Sequence, residues 1–170
     1  METHARPELT EDQRVAPFFD PDKKRLVVRS VHGVNDATAR TEITVGTHPV
    51  FATDEPKTSG GNETGPTPLE MLLSSLIGCK CVMIHNVAKA MKFDYEGVEI
   101  EANGLIDLRG PKGVPGIRPY FEQVDVRIVI FTDEPEERLE QLARNAENRC
   151  PVMNLLRDAG AQVNAVWESK

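Results

Sequence analysis

Residues 68–91 read PLEMLLSSLIGCKCVMIHNVAKAM. Leu69, Leu72, Leu73, Leu76, Met83, Ile84, Val87 and Met91 recur at spacings of three and four, which predicts a helix with a continuous apolar stripe. Ala, Ile, Val and Ser cover much of the remaining surface. A helix apolar nearly all round belongs at the centre of a molecule or in an interface, not on a surface. Its start is written just upstream. Thr67 suits the N-cap, Pro68 suits the first helical position, and Glu70 lies three residues after Thr67, completing a capping-box pattern. Lys80, His85 and Lys89 interrupt the run and make it too polar for a membrane span, so no membrane partner is expected.

Before this helix, RLVVRSV (25–31) reads as a first strand and ARTEITVG (39–46) as a second, joined by a polar link with Gly33 and Asn35. HPVFAT (48–53) extends the same sheet. DEPKTSGGNETGPTP (54–68) is rich in Gly, Pro, Ser and Thr and has no apolar period, so it is a loop. After the helix, GVEIEANGLIDL (97–108) and FEQVDVRIVIF (121–131) alternate as strands around a loop at 108–119. Thr132 or Asp133 is placed to cap the next helix, with Pro135 in its first turn and Glu136 and Glu137 at its positive end. Leu139, Leu142, Ala143 and Ala146 give that helix a narrow apolar face. PVMNLLRDAG (151–160) reads as a short helix and AQVNAVWES (161–169) as a last strand. The order β-β-β-α-β-β-α-α-β describes an α+β chain with a sheet built of hairpins. Residues 1–22 lack periodicity and read as an N-terminal arm, leaving 23–170 as one domain.

The chain has 170 residues, 39% hydrophobic and 28% charged, ordinary for a globular domain with a substantial core. Its net charge of −7 repels phosphate backbones, which argues against a nucleic-acid partner. The N-terminus has no apolar core of a signal peptide, and the expected location is the cytoplasm. In that reducing compartment three cysteines point to catalysis or metal binding rather than to a disulfide framework. No Walker A, G-x-G-x-x-G, G-x-S-x-G or H-E-x-x-H pattern occurs. No cofactor is expected.

The thiols are therefore the chemistry to weigh. Cys150 directly precedes Pro151, so it takes the N-cap of the helix at 151–158. Unpaired N–H groups and the positive end of the dipole favour a thiolate there, and Arg149 and Arg157 add positive charge. The stretch reads equally well as a small cap residue in a turn. Cys79 and Cys81 point roughly 200° apart on their helix, so they do not form a joint metal clip. Cys79 lies at the edge of the apolar stripe beside Leu72, Leu76 and Met83, where packing as a small hydrophobe is the plainer role. Cys81 and His85 stand one turn apart and would need two further ligands to hold a metal.

Two segments taken together resemble a known family. FATDEPKTSGGNETGPTPLEMLLSSLIGCKC couples a Gly-rich loop, a T-P-L-E helix start and an apolar helix that reaches G-C. LARNAENRCPVMNLL carries C-P-V at a helix start. Their order and flanks are similar to those of the osmotically inducible protein C and organic hydroperoxide resistance (OsmC/Ohr) superfamily, from about residue 25 to 168. The resemblance implies an intertwined homodimer, with antiparallel sheets wrapped around two long central apolar helices. It implies thiol-dependent reduction of organic hydroperoxides, with Cys79 as the peroxidatic cysteine and Cys150 as the resolving one. An external dithiol would restore the pair. It further implies an arginine held by a helix glutamate near the first thiol. Arg40, with Arg29 behind it, and Glu70 are the candidates here. The chain departs from the peroxidase branch at that glutamate. Thr67-Pro68-Leu69-Glu70 replaces N-P-E, which swings the acid roughly 100° around the helix and leaves Glu70 opposite Cys79. That departure motivates an alternative, a non-catalytic dimer that binds a small hydrophobic ligand in its central cleft.

Overall fold

The computed structural model describes residues 26–170. The arm expected over residues 1–22 lies outside the described residues. The chain is an α+β protein with two three-stranded sheets and three α-helices. The described residues up to Gly65 form one compact unit, and Pro66–Lys170 form a second.

The first unit is an antiparallel meander of β1 (His32–Asn35), β2 (Thr41–Thr44) and β3 (Phe51–Thr53). Asn35 organises the β1–β2 turn. Its Oδ1 accepts from the Ala37 N–H at 2.8 Å, and its Nδ2 donates to the carbonyls of Thr38 at 2.7 Å and Arg40 at 2.8 Å. That Asx turn holds Ala37 at a φ of 66°. The strand expected over 25–31 begins instead at His32. The reason is pairing: the register His32↔Thr44 uses β2 to its last residue, so 26–31 have no ladder partner among the described residues. Gly33 and Asn35, expected in the link, are strand residues.

The loop after β3 is built around Asp54, whose side chain is buried. Its Oδ1 accepts from the Glu55 N–H at 2.8 Å. Its Oδ2 accepts from the N–H groups of Asn62 and Thr64, both at 3.1 Å, and from the Thr64 hydroxyl at 2.7 Å. Those four donors, led by the Thr64 hydroxyl, outweigh the opposing effect of burial and lower the carboxyl pKa to about 2. The same fold-back brings Gly61 against the Glu55 carbonyl, where a Cβ would sit 1.8 Å from the oxygen.

The second unit begins with α1 (Pro68–Met91), which starts and ends within the limits read from sequence. Its capping box is formed in both directions. The Thr67 hydroxyl accepts from the Glu70 N–H at 3.2 Å, and Glu70 Oε2 accepts from the Thr67 N–H at 2.7 Å. By length and apolar composition alone α1 would suffice to cross a membrane. Its packing assigns it to the core, because Leu76, Ile84, Val87 and Ala88 are buried in one hydrophobic cluster with the sheet and the other helices. At its far end Arg138 donates to the carbonyls of Lys92 at 2.8 Å and Met91 at 3.2 Å, satisfying acceptors the helix leaves open.

The second sheet has the order β4 (Gly97–Leu105), β5 (Gln123–Phe131), β6 (Gln162–Ser169). β5 is central, and Val124, Val126, Ile128 and Ile130 on one of its faces are all buried. β4 pairs with it antiparallel, as a hairpin does. Gly104 of β4 makes room for the buried Phe121 ring, which a Cβ would approach to 2.4 Å. The expectation of antiparallel sheets fails at one pairing only: β6 runs parallel to β5. The two helices between them, α2 (Glu136–Arg149) and α3 (Pro151–Asp158), form the crossover that a parallel pair requires. The start of α2 also differs from expectation. Pro135 takes the N-cap without a side-chain hydrogen bond. Thr132 is engaged one turn earlier, donating to the Asp94 carbonyl at 2.5 Å and accepting from the Glu134 N–H at 3.1 Å.

Candidate active site

The corner between α2 and α3 is one residue long. Cys150 closes α2 and opens α3, in an extended conformation with φ −76° and ψ 109°. A residue before proline is forced out of helical geometry, so Cys150-Pro151 splits what would otherwise be one helix. The break turns the Cys150 side chain inward, where it is fully buried beside Leu76, Met153 and Leu156 in the core cluster. Asn154 fastens the corner. Its Nδ2 donates to the carbonyls of Cys150 at 3.0 Å, Asn148 at 3.2 Å and Glu147 at 3.3 Å.

Cys79, half-buried on α1, packs against the same cluster. Its thiol neighbours that of Cys150 closely enough to act on its ionisation, and both are free thiols. The Cys150 thiol is pushed above its ordinary value, chiefly by burial and further by the neighbouring Cys79. The Met153 N–H at the helix start works against that rise, and so does the charge of Lys80. This corrects the expectation of a low-pKa cap residue. The helix end acts in the predicted direction, but no full side-chain cap hydrogen bond closes on the sulfur and desolvation outweighs it.

The decisive addition is Lys80. Its side chain is fully buried, and its Nζ has no hydrogen-bond partner among the described residues. The Nζ stands 5.4 Å from the centre of the Trp167 ring of β6, a cation–π distance. Glu147 of α2 completes the surroundings. One carboxylate oxygen accepts from the Trp167 indole N–H at 2.8 Å and the other from Arg157 Nη2 at 2.6 Å. Burial pulls the Lys80 ammonium below its ordinary pKa. Glu147, Cys150 and Cys79 act to keep it charged, and Arg157 acts against them. Sequence reasoning passed over Lys80 as an interruption of the apolar run. The signal was in the stripe itself, since position 80 lies one turn from both Leu76 and Ile84, two of the most buried residues of α1.

The other candidates occupy different settings. Glu70 is engaged in the capping box, which also holds its carboxyl below the ordinary value through the Thr67 N–H and hydroxyl. Arg40 belongs to the β1–β2 hairpin of the first unit, where its guanidinium pairs with Glu42 at 2.9 Å. Arg149 is exposed at the end of α2, and Arg157 is occupied by Glu147. Cys81 is half-buried and His85 exposed, and no three metal-ligating side chains cluster among the described residues.

What these groups can do together is thiol chemistry: two free thiols are neighbours in apolar packing, with one buried lysine beside them. The profile of the OsmC-like protein family matches residues 60–165, a span that includes both cysteines. Curated proteins give no match. An OsmC-like protein from Mycoplasma pneumoniae superposes with a TM-score of 0.70 at 19% identity, over 87% of this chain and 98% of that one. An organic hydroperoxide resistance protein from Legionella pneumophila gives 0.63 at 20% identity, over 86% and 99%. The organic hydroperoxide resistance protein OhrB of Bacillus subtilis gives 0.56 at 21% identity, over 84% and 98%. The fold is common to all three, and the chain belongs to the OsmC-like protein family.

Proposed function

We propose that the protein is a two-cysteine thiol peroxidase that reduces organic hydroperoxides in oxidative-stress defence. The observation that carries this reading is that two free thiols, Cys79 and Cys150, are packed as neighbours on one core cluster. Cys79, the less buried of the two, is the peroxidatic thiol. Its sulfur attacks the terminal peroxide oxygen; an S–O bond forms, the O–O bond breaks, and the alkoxide takes up the thiol proton to leave as an alcohol. Cys150 then attacks the sulfenic sulfur. An S–S bond forms and the S–O bond breaks, with water as the second product. An external dithiol reopens the disulfide. The apolar lining around Cys79, including Leu72, Leu76 and Met83, suits an alkyl-bearing substrate better than hydrogen peroxide. Lys80 argues against a purely ligand-binding role, since a buried cation costs stability that a cleft for an apolar ligand gives no reason to spend.

The test is consumption of cumene hydroperoxide with dithiothreitol as reductant. Wild type turns over. Cys79→Ser is inactive. Cys150→Ser completes one turnover and stops at a sulfenic acid that dimedone traps on Cys79. Equal activity of wild type and Cys79→Ser would remove the reading.

The working form in this proposal is a homodimer. Its support is the apolar surface the chain leaves open: Val31 and Val34 of the hairpin region are 64% and 59% exposed, and Val82 on α1 is 53% exposed.

A further inference from the structure

Lys80 has no role in the chemistry described so far, yet its side chain is fully buried next to Cys79 and its Nζ has no hydrogen-bond partner among the described residues. A buried cation without an ion-pair partner is unfavourable unless something nearby carries or acquires negative charge. Each group facing it can be named. Trp167 of β6 offers only its ring face. Glu147 of α2 has one oxygen on Arg157 and the other on Trp167, and it forms no ion pair with Lys80. Arg157 of α3 is positive. Glu147 supports the charge from a distance without pairing with it, and the groups whose own charge changes during the reaction are the two sulfurs, Cys79 next to Lys80 on α1 and Cys150 at the α2–α3 corner.

We propose that Lys80 serves the second half of the reaction: it balances the Cys150 thiolate that closes the disulfide and supplies the proton that leaves in water. The inference rests on the peroxidase reading and adds the timing of the two thiols to it. While both sulfurs are reduced, Cys79 and burial oppose ionisation of Cys150. Conversion of Cys79 to its sulfenic acid removes the competing thiol, and Lys80 is then the cation that Cys150 faces. The Cys150 thiolate attacks the Cys79 sulfur. The S–S bond forms, the S–O bond breaks, and the departing hydroxide takes a proton from the Lys80 ammonium. Sulfenic acid, thiolate and ammonium become disulfide, water and neutral amine, with atoms and charge balanced. When a dithiol reduces the disulfide, the Cys150 thiol proton is available to recharge the amine. The thiol pair thus gives the Lys80 proton a destination at the moment the disulfide closes, which accounts for an amine buried without a fixed partner.

Two measurements test this. In the Cys79→Ser/Cys81→Ser protein, iodoacetamide alkylation of Cys150 is followed against pH. Lys80→Met raises the midpoint by about one unit, equivalent to a tenfold loss of thiolate below the midpoint. Lys80→Arg, which keeps the charge, holds it near the parent value. An unmoved midpoint in Lys80→Met overturns the inference. This readout needs no peroxidase activity, so it stands even where wild type fails to consume hydroperoxide, an outcome that would sink only the peroxidase reading. In the otherwise wild-type chain, one equivalent of cumene hydroperoxide is added and the Cys79 sulfenic acid is trapped with dimedone over time. Lys80→Met prolongs its lifetime about tenfold or more; closure as fast as wild type overturns the inference. Wild type itself gives a third readout that requires no buried substitution. Trp167 is the single tryptophan, so its emission reports the charge above its ring. The emission of the disulfide form titrates at lower pH than that of the reduced form, and coincident titrations count against the proposal.

Discussion

Asp54 shows how much one side chain can hold. Its carboxylate gathers four donors from residues 55–64, and the loop has no other buried polar anchor among the described residues. Because its pKa is lowered from 3.8 to about 2, the stabilisation is complete above 3.8 and is lost as pH falls through about 2. Amide exchange at Asn62 and Thr64 is expected to accelerate across that window, and Asp54→Asn should give the same acceleration, roughly tenfold or more, at neutral pH. Glu147 is the corresponding anchor at the thiol site. Glu147→Gln keeps an acceptor for Trp167 but removes the carboxylate that Arg157 holds, and is expected to cost about 1–3 kcal/mol in urea unfolding. The sequence offered little warning of either residue. Asp54 falls in the Gly- and Pro-rich stretch 54–68 with no local mark of burial, and Glu147 falls in the polar run before Cys150. Each acquires its role only when distant backbone closes around it. Cys150 was more legible, because the residue before a proline has few conformations open to it.

At the level of elements, α1 was readable in full because its determinants are local: a repeat, a cap and a reciprocal glutamate within four residues. Thr67→Ala removes the cap and is expected to lower stability by about 1 kcal/mol, seen as a drop in Tm. Glu70→Ala is expected to lower Tm in the same way while leaving the pH profile of Cys150 alkylation unchanged, which separates a capping glutamate from one that acts on the thiols. Strand β1 was misplaced for the opposite reason. Leu26, Val27, Val28 and Val31 have strand-forming character, but strand formation requires a partner, and β2 is only four residues long. The direction of β6 was equally invisible, since alternation is the same for parallel and antiparallel strands. Gly104 is where the sheet makes room for a buried ring. Gly104→Ala drives a methyl into the Phe121 ring and is expected to cost about 1–3 kcal/mol by thermal denaturation.

For the whole molecule, the exposed valines of the hairpin region and α1 set a measurable expectation. Sedimentation equilibrium should give twice the chain mass, and Val82→Glu should shift the distribution toward monomer. The element order alone implies the α+β architecture, and the family resemblance adds the Cys79–Cys150 pair as an expectation. The family pattern assigns no role to the lysine between Cys79 and Cys81. The crossover to β6 also has a consequence for how this protein is made. Cys79 leaves the ribosome well before Cys150, and the central strand β5 waits for its parallel neighbour until α2 and α3 have been synthesised. At ordinary translation rates that interval is several seconds. If Cys79 and Cys150 act as the proposed pair, the nascent chain presents Cys79 throughout that interval without its resolving partner. On that proposal, newly synthesised copies under peroxide stress are more open to irreversible oxidation than finished ones.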